Sequence, residues 1–101
     1  MDYRKKWNKL VDSAGSVGLR VKLVPSNSLL DYAGMNDKAA SKFGFEMPTR
    51  TIYIDKGLCW QGRSETLKHE LDERADMAKG FPYWKAHRKA LKNEGKLGGI
   101  R

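Results

Sequence analysis

Pro82-Tyr83-Trp84-Lys85-Ala86-His87-Arg88-Lys89-Ala90-Leu91-Lys92-Asn93-Glu94 reads as an amphipathic helix carrying two ionisable residues on its oily face. At about 100° per residue, Tyr83, Trp84, Ala86, Ala90 and Leu91 share one side, and Lys85, Arg88, Lys89 and Lys92 share the other. His87 and Glu94 fall in the middle of the apolar side. A buried imidazole and a buried carboxylate need partners, because an unpaired buried charge is expensive. Those partners are expected in the helix before it, in His69-Glu70-Leu71-Asp72-Glu73.

That preceding helix is predicted from an N-cap at Ser64, with Glu65 in its first turn, to about Lys79. Gly80 is a natural stop, and Pro82 suits the first turn of the next helix. Leu67, Leu71, Ala75 and Ala78 share a face that should pack on a sheet. Lys68, Asp72, Asp76 and Lys79 share a face for water. The stripe between them holds Thr66, His69, Glu70, Glu73 and Met77, and Met77 suggests that it is partly covered.

His69 and Glu73 are four residues apart, so their side chains lie about 6 Å from each other and can reach one cation. A tight Gly80-Phe81-Pro82 turn makes the two helices neighbours, which brings His87 to His69 and Glu73. Two imidazoles and a carboxylate leave a fourth position for water, as a catalytic zinc site requires. Glu70 is then placed to act as general base on that water. Glu94 is a further ligand, or an acceptor that orients a ligating His. Zinc is the first expectation, with manganese or iron as oxygen-tolerant alternatives. The competing reading is a metal-free polar staple, with His87 hydrogen-bonded to Glu94 or Glu73. For Glu70 the competing reading is a solvated carboxylate paired with Arg74 one turn on.

Upstream, Tyr3 to Ser13 reads as a short amphipathic helix ended by Gly15 and Gly18. Leu19 to Val24 alternates as a half-buried strand stopped by Pro25, and Thr49 to Asp55 reads as another. Ala39 to Phe45 is a strand or, alternatively, a short helix; Ser26 to Asn36 carries no clear pattern. The expected fold is α+β: an N-terminal helix, a small antiparallel sheet of two or three strands, and a C-terminal helical hairpin that carries the site. Residues 1–95 form one domain, and 96–101 a flexible tail.

The chain has 101 residues, 40% of them hydrophobic, which supports a folded globule. No apolar run approaches the roughly 18 residues of a membrane span, and no membrane partner is expected. Without an apolar stretch after Met1 no signal peptide is expected, and the single Cys59 excludes an internal disulfide; both point to a reducing, cytoplasmic location. Cys59 itself reads as a small buried residue, and Trp7, Trp60 and Trp84 as core.

The formal charge is +8. Arg4, Lys5, Lys6 and Lys9 form one basic helical face, and Lys85, Arg88, Lys89 and Lys92 another; either could follow phosphates or simply be solvated. A nucleic-acid partner is therefore open, beside a protein or peptide substrate or partner.

His69-Glu70-x-x-Glu73, followed by Tyr83, Ala86-His87, Ala90 and Glu94, resembles a pattern in short proteins of phages and prophages that look like pared-down zincins. The resemblance spans about Ile52 to Glu94. It implies a metal-dependent peptidase or other hydrolase in the host cytoplasm, in which activated water attacks a polarised carbonyl. In zincins a strand before the His-Glu-x-x-His helix commonly forms the rim of the substrate cleft; here Thr51 to Asp55 would be that strand. Glu73 stands where the second His of the zincin motif belongs. A non-catalytic basic protein that binds a host factor or a nucleic-acid-handling complex is the alternative function.

Overall fold

The computed structural model describes residues 2–94, with the side chains of Asn93 and Glu94 outside that description. The first helix, α1 (Tyr3–Ser16), begins where Asp2 accepts hydrogen bonds from the amides of Arg4 and Lys5 at 3.0 and 3.1 Å. The cap satisfies two donors that a helix start leaves orphaned. Gly15 does not end α1; the turn is made at Gly18, whose φ of 81° suits glycine. There follow β1 (Arg20–Val24), a 3-10 turn (Ser26–Leu29), β2 (Gly34–Asn36), α2 (Asp37–Phe43), β3 (Thr51–Asp55), α3 (Trp60–Ala78) and α4 (Tyr83–Glu94).

The layout is the expected α+β arrangement, with an N-terminal helix and a C-terminal helical hairpin. The sheet has three strands in the order β1-β3-β2, and it is mixed rather than antiparallel throughout. β2 runs antiparallel to β3, with Asn36 opposite Ile52. β1 runs parallel to β3, with Arg20 opposite Thr51. Parallel pairing needs a long crossover, and residues 25–50 supply it by passing through β2 and α2.

The segment around Ala39 takes the helical alternative. Asn36 caps α2 by accepting from the Ala39 amide at 2.9 Å, and Gly44 stops it with a φ of 70°. Cap and stop together outweigh the short apolar run that suggested a strand. The remaining strand comes from Gly34–Asn36, where three residues are too few to show a period of two.

Alternation along β3 sends Ile52 and Ile54 to one face of the sheet, where they pack with Trp7 and Leu67. On the other face Val24, Leu29, Met35, Ala39 and Ala40 form a second cluster, against which Tyr53, Met77 and Tyr83 lie. Each fully buried aliphatic side chain contributes about 1.5–3 kcal/mol. Ser64 does not cap α3. The helix starts a turn earlier at Cys59, whose Sγ accepts from the Gly62 amide at 3.4 Å. Cys59 is therefore exposed rather than buried. Ser64 is buried instead, and its hydroxyl donates to the Tyr3 carbonyl at 2.9 Å, fastening α1 to α3.

The faces of the hairpin differ in places from the wheel. Asp76, expected in water, is buried where the Phe81 amide folds back to its carbonyl at 3.1 Å. Ala75 and Ala78, expected to pack on the sheet, are exposed. On α4 the buried seam is Ala86 and Ala90, and Trp84 and Leu91 face outward. Two alanines let α4 approach α3 closely, which leaves the bulky indole no room in the seam.

Candidate metal centre

One turn of α3 separates His69 from Glu73, and Gly80, at a φ of 100°, turns the chain so that α4 lays His87 beside them. The Nε2–H of His69 donates to Glu73 Oε2 at 3.1 Å. The Nδ1–H of His87 donates to the same oxygen at 2.7 Å. The three ligating atoms lie within 4.8 Å of one another. Their rings meet edge to face, with centroids 5.0 Å apart, and Tyr83 stacks on His87 at 5.2 Å.

His69 and Glu73 are 2% exposed, whereas the His87 side chain is 32% exposed and forms the open side of the cluster. Burial alone would raise the Glu73 carboxyl. The hydrogen bonds and charge of His69 and His87 outweigh that effect and hold it below its ordinary value. Glu73 is thus a buried carboxylate kept ionised by two imidazoles.

Asn36, which the sequence reading passed over, completes the arrangement. Its side chain is fully buried, and Nδ2 donates to Glu70 Oε1 at 3.0 Å and to Glu73 Oε1 at 3.2 Å. The signal available beforehand was an Asn-Asp pair preceding two alanines, which is a helix start. Nothing local reveals that the cap residue also faces α3.

Glu70 joins the site: Oε2 lies 3.9 Å from His69 Nε2, and the side chain is 5% exposed. It is not the solvated partner of Arg74. Arg74 instead grips Asp37, with Nε to Oδ1 at 2.6 Å and Nη2 to Oδ2 at 3.1 Å. Gly34 makes the approach of α3 to β2 possible. A Cβ there would stand 2.7 Å from Thr66 Cγ2 and 3.2 Å from Glu70 Cγ. Gly34, Met35, His69, Glu70, Glu73 and His87 line a cavity of about 10 Å³, the size of one water molecule.

The rim differs from the expected one. β3, the strand that leads toward α3, is central and paired on both edges; β2 is the strand beside the cavity. Of the proposed ligands, His69, Glu73 and His87 converge. The Glu94 side chain and the 96–101 tail lie outside the described residues. Two imidazole nitrogens and one carboxylate oxygen are a donor set that zinc accepts. His69, Glu73 and His87 could therefore hold a metal ion.

No family model, curated protein or solved structure matches the chain. No helix among the described residues is long and apolar enough to cross a membrane.

Proposed function

We propose that this protein is a zincin-like, metal-dependent hydrolase that acts on a peptide or related carbonyl substrate. The observation that carries the reading is the convergence of His69, Glu73 and His87, with Glu70 lining the same cavity. His69, Glu73 and His87 would hold a divalent cation, zinc first and manganese or iron as alternatives, which would supply a Lewis acid for the carbonyl and acidify water. Glu70 takes the proton of the attacking water on its carboxylate and returns it to the leaving amine. The water oxygen bonds to the carbonyl carbon as the carbon–nitrogen bond breaks. Asn36 holds Glu70 and Glu73 apart in fixed orientations through its two donated hydrogen bonds.

The closure of that network also supports a second reading. Glu73 accepts from both histidines and from Asn36, so the cluster is internally satisfied and can serve as a structural staple in a non-catalytic binding protein. Elemental mass spectrometry on untagged protein, beside His87→Ala and Glu70→Gln, separates the two. Near-stoichiometric metal that is lost in His87→Ala and retained in Glu70→Gln, with hydrolysis lost in both, is the expected result. Metal-free protein that takes up none on titration would leave the staple.

A further inference from the structure

We infer that the outer face of α4 is a binding surface for single-stranded nucleic acid, separate from the metal centre. Lys85, Arg88, Lys89 and Lys92 of α4 are all exposed, as are Trp84 and Leu91 of the same helix and Phe81 just before it. Trp84 is 59% exposed, which is unusual for the largest side chain in a small domain. Each exposed ring sits under a cation: the Arg88 guanidinium is 5.3 Å from the Trp84 ring, and the Lys85 and Lys89 ammonium groups are 5.1 and 5.9 Å from Phe81.

Among the described residues, the carboxylate paired with these four cations is Asp76, 3.6 Å from Lys89 Nζ. Lys85, Arg88 and Lys92 are left to attract an external anion, on a chain already at +8. Residues 85 to 92 span about 10 Å of helix axis, a reach that suits two or three consecutive phosphates. The flat, accessible indole supplies what a phosphate-following surface needs to hold single strands, a plane on which a base can stack beside an arginine.

The same observations argue against a lipid surface. A helix that lies in a bilayer interface keeps a continuous apolar face for the acyl region. On α4 the continuous apolar seam, Ala86 and Ala90, is already buried against α3, and the outward aromatics alternate with charges. The residues of this face are distinct from His69, Glu73 and His87, although Trp84 and Leu91 neighbour His87 along the helix.

The test is fluorescence anisotropy of a labelled oligothymidylate with the full chain, compared with Trp84→Ala, Trp84→Phe and the double variant Lys85→Glu/Arg88→Glu. With two to three phosphates neutralised, affinity should fall about 7- to 20-fold between 50 and 200 mM salt. Trp84→Ala should weaken binding at least about fivefold and Trp84→Phe much less, because stacking tolerates any aromatic plane. The double charge reversal should abolish binding. All three positions are exposed, so far-UV circular dichroism should be unchanged. Absence of binding at low salt, equal affinity of Trp84→Ala, displacement of the oligonucleotide by polyglutamate of equal charge, or binding to phosphatidylserine vesicles instead of the oligonucleotide would each overturn the inference.

Discussion

The side-chain amide of Asn36 donates to Glu70 at 3.0 Å while its own carbonyl oxygen caps α2 through the Ala39 amide at 2.9 Å. One buried residue therefore joins the start of a helix to the candidate catalytic base. Asn36→Asp keeps the cap acceptor but replaces the donor with a carboxylate facing Glu70 and Glu73. It should cost about 3–5 kcal/mol at neutral pH, the range seen when a buried charge loses its partner. Urea unfolding measures this, and Asn36→Ala, which adds no charge, should be the milder variant despite losing the cap. The opposite order would show that the cap, rather than the contact with Glu70, is what Asn36 provides.

Metal binding should stabilise the fold by mass action. At a free zinc concentration 100 times Kd the gain is about 2.7 kcal/mol, equivalent to a rise in Tm of roughly 10–20 °C for a domain of this size. Differential scanning fluorimetry with zinc or manganese checks it. His87→Ala should remove the rise. Since Glu73 Oε2 accepts from both imidazoles, loading must replace those two hydrogen bonds with bonds to the metal, and the imidazole proton resonances of His69 and His87 should shift on titration. Unchanged resonances would mean that the ligands are not those named here.

Asp37 should govern part of the acid stability. Burial raises its carboxyl, but hydrogen bonds from Arg74 and from the Arg50 amide, with the charge of Arg74, outweigh it and hold the group below its ordinary 3.8. A lowered folded pKa stabilises above the unfolded value and ceases to do so as pH falls through the folded one. Asp37→Asn should therefore cost about 1.5–3 kcal/mol at pH 7, as expected for lost charged hydrogen bonds. That deficit should shrink as pH drops below 3.8. A pH-independent difference between the two proteins would rule out the ionic account.

Gly34→Ala tests the close approach of β2 to α3. Its methyl group would meet Thr66 Cγ2 at 2.7 Å and Ile54 Cδ1 at 3.1 Å. Overpacking of this kind costs about 1–3 kcal/mol. Thr66→Ser removes the nearest methyl group, so the double variant should be more stable than the sum of the single effects predicts. Strict additivity in denaturant titrations would show that the contact is not the source of the cost.

What the sequence by itself determined is the part governed by helix periodicity. His69 and Glu73 lie one turn apart wherever that helix sits, and Gly80-Phe81-Pro82 is too short to let α4 do anything but return along α3. From these two local facts the meeting of His69, Glu73 and His87 follows. Only the tertiary structure decided the rest. The parallel pairing of β1 with β3, the strand at Gly34–Asn36, the turn of Asn36 toward Glu70 and the pairing of Arg74 with Asp37 all join segments far apart in the chain. Trp84 and Asp76 exchanged their expected environments for the same reason. A helical wheel records which residues share a side, but how closely Ala86 and Ala90 let two helices approach determines which of those residues lose contact with water.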